Sequence, residues 1–194
     1  FDSINREWIN DMFKLEAIDE RVISNPQREI IEKGGHIWFA LHPELGVVGT
    51  CALMKKDEGT YELTKMGVVS TARGLKVGEA LLQHVVKEAE DIATKLLFLL
   101  TNSSCEAAIH LYEKNGFAHC EEIMKTYGKA YKRCNVAMRY AADWNITIDP
   151  ASPDGELLYA ASGSTPISGD DLEILRFQAT VSTIAAAPAQ GTTG

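Results

Sequence analysis

Val69-Ser70-Thr71-Ala72-Arg73-Gly74-Leu75-Lys76-Val77-Gly78-Glu79-Ala80-Leu81-Leu82 joins a strand-like run to the start of a helical one. Small residues let backbone N–H groups converge on an anion, and a helix starting near Val77 adds unpaired N–H groups and the positive end of its dipole. Arg73 supplies a fixed cation. The stretch reads as a phosphate cradle, with an ordinary glycine turn as the bland alternative; what surrounds it decides between them.

Upstream, Ile4, Trp8, Met12 and Leu15 share one face of a helix over residues 3–16. Asn25-Pro26 starts a second short helix that runs to about Lys33 and ends at Gly34-Gly35. The period then changes. His36–Leu41 and Val47–Met54 are strand-like runs around a hairpin turn, and a third run, Thr60–Val69, feeds the glycine loop.

Downstream, Ala80, Leu81, Val85, Ala89 and Ile92 repeat at helical spacing. Lys95–Thr101 is short and nearly all apolar, as a strand buried on both faces should be. Strand, loop, helix and strand make a right-handed crossover between parallel neighbours. Asn102–Ser104 caps a further helix that carries Ala108, Leu111 and Tyr112 and ends at Asn115-Gly116. Two more strands are expected, around 117–124 and 133–140, joined by a tyrosine-bearing loop.

At 194 residues and 45% hydrophobic, the chain can bury a real core. A net charge of -8 argues against a general nucleic-acid binder. The longest apolar run, Leu96–Leu100, is far short of the roughly 20 residues of a membrane span, and no secretory h-region is visible, so a cytoplasmic location is expected. Cys51, Cys105, Cys120 and Cys134 have no metal-like spacing with the histidines, and read as free thiols. From 141 to 194 the only basic residue is Arg176 against seven acids, which gives an acidic extension of its own. Within it, 157–161 and 172–180 look like strands and 185–194 like a flexible end.

Tyr61–Val69, Arg73-Gly74-Leu75-Lys76-Val77-Gly78 and Leu111-Tyr112-Glu113-Lys114-Asn115-Gly116-Phe117, in this order and with these elements between them, resemble the GCN5-related N-acetyltransferase (GNAT) superfamily over about residues 3–140. The resemblance implies an α/β fold, a mixed and mostly antiparallel sheet flanked by helices, to which the chain adds a β-rich C-terminal tail. It implies an acetyltransferase domain over 1–140 and acetyl-CoA as cosubstrate. It also implies transfer to a primary amine of a small molecule, amino acid or peptide, with no nucleic-acid or membrane partner and with a homodimer left open. The chain departs from the family pattern at Lys76, where a glycine is usual, and at Cys105, where an asparagine is common. The family's strand before the first helix has no counterpart in Phe1-Asp2-Ser3, so either a preceding segment or the tail would fill that sheet edge.

The same resemblance assigns acetyl-CoA to Met66, Gly67 and Val68 on the strand and to Arg73, Gly74, Leu75, Lys76, Val77, Gly78 and Glu79 in the loop. Gly78 is expected to leave no room for a Cβ. Tyr112 looks like the family's general acid, a phenol that keeps its proton at neutral pH yet can give it to a nascent thiolate. Glu62 is the candidate base, with Glu121 and Glu122 as weaker substitutes; its register decides whether it faces the acceptor. Glu16, Asp19, Tyr127 and Tyr131 are expected to line an acceptor site suited to a cationic amine. His36, His84 and His110 are read as structural or outward-facing, and no metal site is indicated. A non-catalytic acyl-CoA-binding module is the competing reading, and an interaction protein built on the tail a third.

Overall fold

The computed structural model describes residues 1–141, 146–148, 157–159 and 172–177. Two helices open the chain, α1 (Asp2–Met12) and α2 (Ala17–Ser24), followed by one π-helical turn, Gln27–Ile31. Three strands come next, β1 (His36–His42), β2 (Gly46–Asp57) and β3 (Thr60–Val68). After the glycine loop come α3 (Val77–Asp91), β4 (Leu96–Thr101), α4 (Glu106–Lys114), β5 (Phe117–His119), α5 (Glu121–Tyr127) and β6 (Val136–Tyr140). β7 (Ile146–Ile148) and β8 (Leu157–Tyr159) pair with each other, and β9 (Glu173–Arg176) joins the main sheet.

The sheet order is β5-β6-β4-β3-β2-β1-β9. Among the described residues only β3 and β4 run parallel, as expected of two strands linked through a crossover helix. Strand alternation divides the core between the two faces. Trp38, Leu53, Leu63, Leu97 and Leu99 pack with Leu81, Leu82 and Val85 of α3 and Tyr112 of α4. On the other face, Ile37 and Ala52 meet Val22 and Ile30, while Phe98 and Ala137 meet Ile123 of α5. Leu97, Phe98 and Leu99 are therefore buried from both sides, which accounts for the unbroken apolar run of β4.

Four elements differ from the sequence reading. Residues 17–24 form a helix that the apolar pattern alone did not disclose; a capping box of Glu16 and Asp19 starts it, with Asp19 accepting the Glu16 N–H at 3.1 Å. The expected helix over 26–33 is the π-helical turn, closed by Gly34 at φ +82°. The expected strand over 117–124 stops at His119. Ile123, Met124 and Tyr127 then pack at helical spacing around Phe98, with the Tyr127 ring stacked 4.4 Å from that of Phe98. The first helix also ends at Met12, itself 47% exposed, short of Leu15.

At the far edge, β9 pairs antiparallel with β1 from Trp38↔Arg176 to Leu41↔Glu173. A strand from the acidic extension thus lies where the resemblance asks for an edge strand. Arg176 there contacts the His36 ring and stands over Trp38. Burial and the Arg176 charge hold His36 down to about 4, so the ring is neutral at physiological pH. The ends of the two expected tail strands and the expected flexible end over 185–194 lie outside the described residues.

Candidate active site

The β3–β4 ladder runs from Thr60↔Leu96 to Leu63↔Leu99 and stops there, although β3 continues to Val68 and β4 to Thr101. The strands separate because β3 carries an extra residue: opposite Thr50-Cys51-Ala52 stand Gly67-Met66-Lys65-Thr64. Lys65 adopts φ +52° at this bulge. The extra residue resets the alternation, so Leu63 and Met66 both face α3 and α4, while Lys65 turns to the α2 face and reaches Asp19. From Thr64 onward β3 presents an edge that β4 does not pair.

A cavity of about 680 Å³ opens in this wedge. Its walls are β3 from Leu63 to Val68, the end of β4, the first turns of α4, and the end of α1 at Asp11, Met12 and Phe13, with Arg73 at one end and Tyr131, Arg133 and Cys134 at the other. α1 is fixed against β3 by close approach: a Cβ on Gly67 would lie 2.6 Å from the Trp8 indole. Glu7 also accepts the Ser70 N–H at 3.0 Å.

Beyond Arg73, Lys76 sits at φ +56° as the residue before α3 and Gly74 at φ +88°. The first bond into the new helix is Ala80 N–H to Lys76 C=O, at 3.0 Å. Among the described residues, the N–H groups of Lys76, Val77, Gly78 and Glu79 have no backbone acceptor. Four consecutive donors at a helix start, close in the chain to an exposed arginine, are an arrangement that can accept an anion. The Val77 side chain is buried in the core, so that residue has only its backbone to offer. Leu75 is 47% exposed and Glu79 is paired with Lys114. Gly78 departs from expectation: a Cβ there would meet Leu111 at 3.5 Å and Met66 at 3.6 Å, which is ordinary contact, so the protein itself leaves room for one.

The Lys76 conformation explains why a glycine suits this position, since a Cβ in the left-handed region costs roughly 1–2 kcal/mol. Lys76→Gly should therefore stabilise the fold by about 0.5–1 kcal/mol, read as a shifted urea midpoint at unchanged slope. An unchanged or lower midpoint would show that the loop bears no such strain.

Tyr112 lines the cavity, and its ring packs 5.9 Å from Phe117. Among the described residues its hydroxyl makes no hydrogen bond. Burial, with Cys51 and Cys105 nearby, pushes its pKa well above the ordinary phenol value, so it stays protonated. Met66, Gly67, Val68 and Arg73 line the same cavity, which brings together four of the expected cosubstrate residues and the expected acid. Cys105 is also on the wall, at the start of α4.

Glu62 is not on the wall. It is 1% exposed, on the α2 and α5 face, and its Oε2 lies 2.5 Å from Lys56 Nζ. Glu121 and Glu122 stand in the first turn of α5, away from the cavity. The expected acceptor lining changes more. Tyr131 is on the wall, but Tyr127 is stacked on Phe98, and Glu16 and Asp19 are turned away to bind cations. Asp19 Oδ1 accepts from Lys65 Nζ at 2.8 Å and from Arg133 Nη2 at 2.9 Å. Glu16 accepts the Lys132 and Arg133 N–H groups at 2.9 and 3.1 Å. Lys65 and Arg133 are what the cavity meets, and the sequence reading missed both. A lysine interrupting the β3 run was the one available signal for Lys65; nothing in the sequence pointed to Arg133. His110 is exposed beside Glu113 and His84 packs near Trp38, both outside the cavity.

An acetyltransferase (GNAT) domain model matches residues 33–119, from just before β1 to the end of β5. An IAA acetyltransferase of Azospirillum brasilense is 40% identical over 73 residues, 37% of this chain; the match spans 48% of that relative's length. A GNAT-family acetyltransferase structure from Staphylococcus aureus Mu50 superposes with a TM-score of 0.63 at 23% identity, covering 71% of this chain and 88% of that one. A Bacillus subtilis acetyltransferase in complex with CoA superposes with a TM-score of 0.51 at 16% identity, covering 70% and 91%. The segment 33–119, which holds the split strands and the glycine loop, thus matches an acetyltransferase (GNAT) domain, and the fold around it is that of GNAT-family acetyltransferase structures.

Proposed function

We propose that this protein transfers an acetyl group from acetyl-CoA to a primary amine of a small molecule, amino acid or peptide. The observation that carries the proposal is the cavity where Arg73, the edge of β3 that β4 leaves unpaired and Tyr112 stand together, with the N–H groups of 76–79, which have no backbone acceptor among the described residues, following shortly after Arg73 in the chain. The CoA complex of the Bacillus subtilis neighbour supports the choice of cosubstrate. Free thiols and a need for acetyl-CoA fit a cytoplasmic location. Among the described residues no helix is long and apolar enough to cross a membrane.

In this reading acetyl-CoA supplies the activated carbonyl. Arg73 and the N–H groups of Lys76 to Glu79 hold the pyrophosphate, with Gly74 and Leu75 shaping the turn. The edge of β3 from Met66 to Val68 offers main-chain partners to the extended pantetheine arm. Its N–H groups stabilise charge developing on the thioester oxygen. The neutral amine nitrogen bonds to the thioester carbon as the C–S bond breaks; Tyr112 gives its proton to the leaving sulfur, and the proton shed by the nitrogen restores the phenol, directly or through water. Glu62 has no direct path to the cavity and acts, in this proposal, only through the charge it places near Tyr131 and Lys65.

The test is release of free CoA thiol from acetyl-CoA over a broad panel of amines, beside calorimetry of acetyl-CoA binding. Amine-dependent release is expected. Tight binding with no release from any amine would instead establish the acyl-CoA-binding module, whose one specific support is the lysine at position 76. Absence of binding would remove both readings.

A further inference from the structure

The acceptor end of the cavity is lined by cations whose counter-ions stand behind them. Lys65 and Arg133 are on the wall; Asp19 and Glu16 are not. Asp19 has no oxygen left over, since Lys65, Arg133 and the Glu16 N–H consume both. Glu16 is likewise taken up by the 132–133 backbone and Arg133. The cations are not used up. Of three Lys65 ammonium hydrogens, Asp19 and the Tyr131 hydroxyl take two, the second at 3.3 Å. Arg133 has five N–H donors, and among the described residues Nε has no acceptor.

Both groups are held firmly. The Lys65 side chain is 2% exposed and its ammonium lies 4.8 Å from the Tyr131 ring centre. The Arg133 guanidinium lies between Phe13 and Tyr131, at 5.6 and 5.0 Å from their ring centres. The carboxylates that do reach the wall, Asp11 and Glu106, lie elsewhere: Asp11 beside Arg73 at 3.7 Å and Glu106 at the start of α4.

From this juxtaposition we infer that the acceptor is a small amine bearing a carboxylate close to its amino group, an α-amino acid, with Lys65 and Arg133 as the residues that read the carboxylate. The inference rests on the acetyl-transfer reading and narrows it. A planar guanidinium with a free N–H edge suits a carboxylate, and an ammonium beside it completes the pairing. The same two charges oppose protonation of the amino group nearby, which raises the share of the neutral, nucleophilic amine. Acceptors whose carboxyl has become an amide, peptide N-termini included, lose the charge being read.

The experiment measures kcat/KM from CoA release on the full chain for three pairs: L-leucine with 3-methylbutylamine, L-phenylalanine with 2-phenylethylamine, and L-methionine with 3-(methylthio)propylamine. L-leucinamide serves as the peptide-like member. The amino acid should be favoured by about tenfold or more in each pair, the scale of hydrogen bonds to a charged group, and the amide should follow the amines. Arg133→Lys keeps a cation for Asp19 but loses the fork, and should shrink the preference severalfold; a ratio within one protein is unaffected by lost folding yield. A ratio near one or inverted overturns the inference and leaves acetyl transfer standing. An unshrunken ratio in Arg133→Lys overturns the role given to Arg133. No release from any member of any pair, nor from the broad amine panel, overturns the acetyl-transfer reading and the inference with it.

Discussion

Tyr112→Phe should lower kcat by about 100-fold while leaving acetyl-CoA affinity within about twofold, because a positioned general acid contributes on that scale and the seat for the cosubstrate is backbone and Arg73. The substitution separates chemistry from packing unusually well. The phenol ring belongs to the core beside Phe117, and phenylalanine retains that contact. The hydroxyl has no hydrogen-bond partner among the described residues, so its removal orphans nothing and the urea midpoint should hardly move. Burial raises the phenol pKa, so the proton is retained through neutral and mildly alkaline pH. The wild-type rate should accordingly show no alkaline fall from this group below about pH 10. Stopped-assay rates across pH 6–10 for both proteins check the point; a wild-type rate in the phenylalanine variant would make Tyr112 a core residue and nothing more.

The sequence disclosed the elements whose physics is local. A glycine-punctuated run after a β-branched strand, an amphipathic helix with Leu81, Val85 and Ala89 on one side, and the apolar β4 segment all carry their periodicity in the chain. The order of these elements and the parallel crossover followed from them. What was not legible depends on contacts between distant segments. α2 begins at two carboxylates, Glu16 and Asp19, whose capping geometry competes with their use as surface charges, and only Lys65 and Arg133, 46 and 114 residues from Asp19, reveal their role. The α5 helix replaced a strand because Ile123 and Tyr127 close over Phe98, a contact set by the sheet and not by local propensity. The bulge at Lys65 was likewise invisible, and it matters most for the site. One extra residue turns Met66 to the α3 face and Lys65 to the acceptor end, so a regular-strand reading misassigns what each side chain meets. Glu62, placed before the bulge, keeps a register that leads it to Lys56 and away from the cavity wall.

Asp19→Ala should be the most damaging single change to stability, at about 3–5 kcal/mol, the usual cost of stranding buried charge. Asp19 is 0% exposed and compensates two cations at once, Lys65 at 2.8 Å and Arg133 at 2.9 Å, while also capping α2. Without it, Lys65 loses its carboxylate at a site where burial already pulls its pKa below the ordinary lysine value. Asp19→Asn keeps the size and the cap but not the charge, and should cost less. Pairing Asp19→Ala with Lys65→Met should recover part of the loss, because an apolar side chain needs no counter-ion. The same carboxylate makes stability depend on acid. Burial raises its pKa, but the Arg133 hydrogen bonds and the Lys65 charge outweigh this and bring it from 3.8 down to about 2. A depressed carboxylate pKa stabilises the folded state above the unfolded value, and the benefit drains away as pH falls from about 4 through 2. At about 1.4 kcal/mol per unit the wild type should lose about 2 kcal/mol over that interval from this group. Urea midpoints at pH 7, 4, 3 and 2 check both claims. The Asp19→Asn variant should show a shallower fall than wild type, and parallel curves would mean that Asp19 is not the group being titrated.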